Sequence, residues 1–195
     1  PLNQTLGFVM TFGHGVKITA FVITALVVAW MSTLAVAMYR DPEMAVLAFT
    51  TNDTYPRIPA SLASKFLRYA PYNPNATSIL GQPIFSAACA GYGLLGVSKQ
   101  RSLEVLSTLG AKGANVDARH HGLTSLQAAV LSSTFDNDPD LVSLLLSLGA
   151  DPSLRVVRPG KPINGMTTID FAEYLDAKPT IDIEHIVALL KAHDT

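Results

Sequence analysis

A single cysteine, Cys89, in 195 residues removes two classes of architecture at once: no internal disulfide framework can form, and no multi-cysteine zinc site can be assembled. Its expected place is that of a small buried hydrophobe. Charge is scarce as well. Asp, Glu, Lys and Arg make up 15% of the chain and balance to a formal net charge of -1, so no bulk field marks nucleic acid as a ligand. The five histidines, at 14, 120, 121, 185 and 193, contain no H-x-x-x-H or H-E-x-x-H spacing, and Ser86 beside Cys89 has no base-and-orienter set. The acidic run DNDPD, 136–140, lacks the glycine and distal Glu of a calcium loop and is expected to cap a helix, with Asp140 near its N-terminus. No catalytic residue, metal ligand, cofactor or small-molecule substrate is therefore nominated, and the expectation is a protein that is not an enzyme.

Apolar residues, by contrast, are abundant. They form 49% of the chain, and the mean hydropathy is +0.30, high for a wholly soluble domain. Much of this sits in ITAFVITALVVAWMSTLAVAM, residues 18–38, a run of 21 positions without a charge. As a helix it spans about 31 Å, the thickness of a bilayer core. Lys17 on one side and Tyr39-Arg40 on the other bracket it as interfacial residues do. It is expected to be a transmembrane helix or signal anchor, preceded by a tail, 1–17. Two alternatives stay open: cleavage at the small-x-small site Ala35-Val36-Ala37, and burial as a soluble core helix. The count of flanking positive charges is nearly tied, and the acid-free N-terminal tail favours a cytoplasmic N-terminus with the remainder exported.

Residues 39–78, rich in Pro, Asn and Thr, are expected to form a juxtamembrane connector around one helix, Ala60 to Tyr69, whose Leu62, Phe66 and Leu67 share an apolar face. That helix is expected to cap the domain that follows, 79–195. Within this domain a theme of turn, small-residue helix, second helix and Gly-Ala-Asn/Asp turn occurs three times. GQPIFSAACAG runs into SLEVLSTLGAKGANVDA, GLTSLQAAV into DLVSLLLSLGADPS, and GMTTIDFAEYL into IEHIVALLKAH. GYGLLGVSKQR and SSTFDNDPD are candidate insertions between paired helices. Thr124 is placed to cap its helix, and Gly113 and Gly149 suit the left-handed residue that ends one.

In Gly122-Leu123-Thr124-Ser125-Leu126-Gln127-Ala128-Ala129 and Leu144-Leu145-Leu146-Ser147-Leu148-Gly149-Ala150-Asp151 the chain resembles the ankyrin-repeat family. It departs from the family pattern where Ser125 and Thr168 replace Pro and where Gln127 and Asp170 replace His. The resemblance implies an all-α fold: an ankyrin-repeat solenoid of about three degenerate repeats, preceded by the transmembrane helix. It also implies protein binding through turn tips and inner helices. The bets on that geometry are Arg119, His120 and His121 in one finger, and Arg155, Val156, Val157, Arg158 and Lys161 in the long basic finger 154–164, with Val156 and Val157 expected to be exposed. By analogy, small anchored bacterial proteins of this type are immunity factors, which makes the expected partner a cognate toxin enzyme such as a type VI secretion phospholipase effector. The expected location is then the bacterial inner membrane, single-pass, with the repeats in the periplasm. The alternative is a scaffold subunit whose helix packs among other membrane helices through Ala25, Ala29, Ser32 and Thr33.

Overall fold

The computed structural model describes residues 2–51, 58–78 and 81–193, with side chains from residue 19 onward. Among these the chain is mostly helical, with nine helices and two strands of two residues each. It divides into two units, Pro1–Arg40 and Asp41–Thr195.

The first unit is one helix, α1 (Leu2–Arg40). The tail expected at 1–17 is thus helical from Leu2, continuous with the apolar run. Within α1, Thr19–Arg40 has a mean hydropathy of 2.2 over its most apolar window and is long and apolar enough to cross a membrane. Phe21, Ile23, Leu26, Val28 and Trp30 all stand about half exposed or more, so this stretch is not the covered core helix weighed as an alternative. Its hydroxyls return to the helix: Thr24 donates to the carbonyl of Ala20, Ser32 to Val28 and Thr33 to Ala29, at 2.8, 2.8 and 2.9 Å. These three hydroxyls are thereby satisfied within the helix.

The second unit stacks helix pairs. Its elements are α2 (Pro42–Thr50), α3 (Ala60–Tyr69), α4 (Ile84–Gly91), α5 (Lys99–Ala111), β1 (Arg119–His120), β2 (Leu123–Thr124), α6 (Ser125–Asp136), α7 (Asp140–Ser147), α8 (Thr168–Asp176) and α9 (Glu184–His193). The first helix of each pair packs on the first of the next, α2 on α4, α4 on α6 and α6 on α8, while α3, α5, α7 and α9 form a second layer. Ile84, Leu106, Leu109, Leu126, Leu145 and Ile186 are fully buried between the layers. Close approach is set by small residues: a Cβ on Gly110 would lie 2.8 Å from Leu148, where α5 meets α7.

The segment expected to be a connector is a helix pair of this stack. Its helix α3 has the predicted bounds, but α2 was not anticipated. It is short and nearly devoid of charge, so nothing in its pattern separates it from the apolar run upstream. Its start is nonetheless specified: Asp41 accepts the Glu43 backbone N–H at 3.2 Å, and Pro42 takes the first helical position. Ala45, Val46 and Ala48 are buried, and the Thr50 carbonyl accepts the Ser98 N–H at 2.9 Å. Residues 52–57, the middle of the Pro- and Asn-rich stretch, and residues 79–80, at the start of the predicted repeat domain, lie outside the described residues. The insertion read as SSTFDNDPD is mostly helical, since α6 continues to Asp136 and only 137–139 turn.

The predicted helix ends are realised in detail. At α5, Ala114 N–H reaches back to the Leu109 carbonyl and Gly113 N–H to Gly110, and at α7 Ala150 and Gly149 do the same to Leu145 and Leu146. These are two Schellman motifs, with Gly113 at φ +83° and Gly149 at φ +86°. Thr124 caps α6 as expected, in a reciprocal box: its hydroxyl accepts the Gln127 N–H while the Gln127 side chain accepts the Thr124 N–H. Thr167 and Asp170 repeat this box at α8.

Candidate interaction surface

Each first helix is entered from a turn, and the three turns, before α4, α6 and α8, are tied into one edge. Asx turns shape them: Asn73, Asn115 and Asp151 side chains accept the N–H two residues on, from Asn75, Asp117 and Ser153. Between turns, Asn75 donates to the Gly113 carbonyl and accepts the Asn115 N–H, and Asp117 accepts the Asp151 N–H.

The finger ahead of α6 is a two-residue hairpin pairing Arg119 with Thr124 and His120 with Leu123. Its tip is His121-Gly122, at φ +49° and +79°, the two positive angles that a type I′ turn demands. The longer finger ahead of α8 clips onto it. Val157 N–H donates to the Gly122 carbonyl at 2.9 Å, Arg119 to the Arg155 carbonyl at 2.7 Å, and Arg158 Nε to the His121 carbonyl at 2.8 Å. The approach is so close that a Cβ on Gly122 would stand 1.9 Å from the Val157 oxygen. Beneath, fully buried Gln127 donates to the Leu154 carbonyl at 2.7 Å.

The predicted residues are therefore brought together, with one correction. Arg119, His121, Arg155, Val157 and Lys161 are exposed, and His120 and Arg158 are half-buried. Val156 is buried, at 1% exposure, and is not available to a partner. Its backbone pairs with Met166 and Gly165 inside the long finger, which turns its side chain inward and leaves Val157 outside. The two backbone hydrogen bonds of Val156 across the finger, and that of Val157 to Gly122, set which valine faces in.

Electrostatically this edge is cationic. Among the described residues, the four ion pairs found involve none of Arg119, Arg155, Arg158 and Lys161. The His120 and His121 rings lie 3.9 Å apart. Burial, and then the neighbouring His121 charge, hold the His120 imidazole below its ordinary pKa. Next to them is a cavity of about 140 Å³ between the starts of α4 and α6, lined by Gln82, Ser86, His120, His121, Ser125 and Arg158 among others.

The opposite edge, where α4 turns into α5 and α6 into α7, has a different character. Lys99 pairs with Asp136 and Asp138, and Tyr92 donates to Asp138 at 2.8 Å. Burial works to raise the Asp138 pKa, but the bonds from Lys99, the Asp140 N–H and Tyr92 outweigh it and hold the carboxyl below its usual range. Asp138 thus does the bracing at this corner, while Asp140 lies in the first turn of α7 as expected. Around a cavity of about 320 Å³ here, Leu94 and Phe135 are 59% and 88% exposed, and neighbouring Leu95 is fully exposed. The sequence reading passed over this patch; its signal was the pair of leucines between Gly93 and Gly96, with no helical partner positions.

Cys89 is buried at the back of α4, and burial pushes its thiol pKa up to about 12, so it is no thiolate at neutral pH. Among the described residues no three His, Cys, Asp or Glu side chains gather as a metal site would require. No protein-family model matches the chain, and no curated protein matches it.

Proposed function

We propose that this protein is a membrane-tethered ankyrin-type module whose activity is to bind another protein along the turn edge. The observation that carries the reading is the fastening of two successive fingers, through Gly122, Arg119 and Arg158, into one surface whose cations form no ion pair among the described residues. Rigid loops cost little ordering entropy on binding, and turn tips set side by side on a helical stack make a continuous contact strip. The stacked helix pairs, Schellman ends and capped starts at matched positions support the repeat reading. The apolar helix Thr19–Arg40 supports the tether.

By the analogy with small anchored bacterial proteins of this type, the partner is a cognate toxin enzyme, such as a secreted phospholipase, met on the periplasmic face of the inner membrane. The test has two arms. Full-length chain in detergent is used as bait, with cross-links mapped by mass spectrometry, and the captured enzyme is then directed to the periplasm of cells with and without this chain. Cross-links on Arg119 to Gly122 and Arg155 to Lys161, and survival only when the chain is present, are the expected results. A captured protein cross-linked only through α1 favours the scaffold reading instead.

A further inference from the structure

The turn edge carries a charge imbalance that says what it binds. Three of its guanidinium groups are aimed by one backbone carbonyl each: Arg119 by Arg155, Arg155 by Gly165 at 2.7 Å, and Arg158 by His121. Such bonds fix direction without neutralising charge. The carboxylates of the same edge are turned onto backbone N–H groups, Asp117 onto Asp151, Asp151 onto Ser153 and Asp170 onto Thr167, and of the three arginines Arg155 feels the Asp170 charge. Among the described residues Arg158 bonds only through Nε, so neither of its terminal amino groups has a hydrogen bond there.

The adjoining cavity is small, and its few polar groups, Arg158 among them, are set in a largely apolar wall with Leu123 and Ala128. Its volume of about 140 Å³ falls below the roughly 300–1,000 Å³ of pockets that take whole small molecules. Ser86 and Ser125 Oγ sit 3.4 Å apart in it, and α6 directs its positive N-terminal end there. The lining suits one carboxylate side chain.

We infer that this edge receives an acidic segment of the partner protein, with one Glu or Asp side chain entering the cavity against Arg158 and flanking carboxylates meeting Arg119, Arg155 and Lys161. The inference rests on the protein-binding reading above. A planar guanidinium offers two parallel N–H donors to a carboxylate, a match that a single lysine would not give. A protein segment is favoured over an anionic bilayer because a recessed cavity selects a projecting side chain, whereas a headgroup layer is flat.

The test uses the full chain in phosphatidylcholine nanodiscs, titrated with a soluble peptide of alternating Glu and Ser and with its Gln counterpart. The Glu peptide is expected to bind with an affinity that falls as salt rises, and to shift the ring signals of His120 and His121 in NMR spectra. Arg158→Gln is expected to weaken it roughly thirtyfold and Lys161→Glu about threefold. The Lys161 side chain is exposed and forms no ion pair among the described residues, so this second variant is expected to fold as the parent does, and unchanged melting checks it. Equal binding of the Gln peptide, indifference to Arg158→Gln, shifts reproduced by inorganic phosphate alone, or binding only to phosphatidylglycerol vesicles would each overturn the inference. Capture of a partner protein that survives both Arg158→Gln and high salt overturns it while leaving the protein-binding reading standing. Failure of the parent chain to capture any protein strikes at that reading instead.

Discussion

The two edges of the helical stack treat charge in opposite ways. At the loop edge Lys99 meets Asp136 and Asp138, and the charges close on one another while Leu94, Leu95 and Phe135 face outward. At the turn edge the apolar Val156 is tucked in, and Arg119, Arg155 and Arg158 are aimed by carbonyls, with Asp170 near Arg155 but no ion pair formed among the described residues. One set of charges braces the fold, and the other is the set proposed to meet a partner. If this contrast is correct, substitutions at the loop edge alter stability and leave acid binding alone. At the turn edge the two effects can be separated, depending on whether the backbone clip or a side-chain charge is changed.

The sharpest break comes at the clip. Gly122→Ala forces an L side chain onto φ +79° and drives its Cβ to 1.9 Å from a backbone oxygen that no rotamer change can move. Strain and clash together are expected to cost at least about 3 kcal/mol, read as a fall in the melting temperature, or to unlatch the long finger. In the second case the Glu peptide no longer binds and amides of 155–165 lose protection from hydrogen exchange. A fold and finger both unperturbed by this change would sink the account of the turn edge.

Next in size is Gln127, which also shows how far the sequence could be read. Repeat spacing, glycine ends and the Thr124 cap were legible because each depends on neighbours along the chain. Gln127 read only as a departure from the family pattern. Its role needs three partners: the Thr124 N–H at 3.0 Å, the Leu154 carbonyl 27 positions away, and Thr168 at 3.4 Å. The same limit hid α2, which is recognisable as a helix-pair member only by its packing on α3 and α4, and hid the burial of Val156, which depends on pairing with Met166. The basic finger itself was legible, because a run of charged and turn-forming residues is a local property. Gln127→Ala strands a partly buried carbonyl and a buried N–H, and a loss of about 2 kcal/mol is expected by chemical denaturation. Indifference to it would make the repeated capping boxes ornamental.

Asp138→Asn tests the self-contained charges. Removing the carboxylate weakens its bonds to Lys99, Tyr92 and the Asp140 N–H at once. Because Lys99 is almost half exposed, the expected cost is discounted for solvent screening to about 1 kcal/mol. The sign follows from the depressed pKa: the native advantage is present above the unfolded carboxyl value of about 4 and is lost as pH falls through the lower folded value. Parent and variant should therefore converge in stability in acid and separate toward neutrality. Binding of the Glu peptide should be unchanged, and any loss of it would mean that the two edges are not independent.

The smallest effect expected is the one that separates stability from recognition at the turn edge. His121 occupies φ +49°, a conformation that costs an L residue about 1 kcal/mol and costs glycine almost nothing. His121→Gly should therefore stabilise the unit by up to about 0.5 kcal/mol after the added freedom of the unfolded glycine is counted. It also removes one of the two forces on His120, while burial, the larger, remains, so the His120 titration should move part of the way back toward about 6.5. A histidine whose folded pKa is depressed contributes stability above its unfolded value and loses it as pH falls, so the variant should lose less on mild acidification than the parent. Recognition should go the other way. The His121 ring lines the cavity, so its removal should weaken Glu-peptide binding about twofold. Higher stability joined to weaker peptide binding is the result that fits a residue kept in a strained turn for what its ring contacts; lower stability would assign His121 to the fold alone.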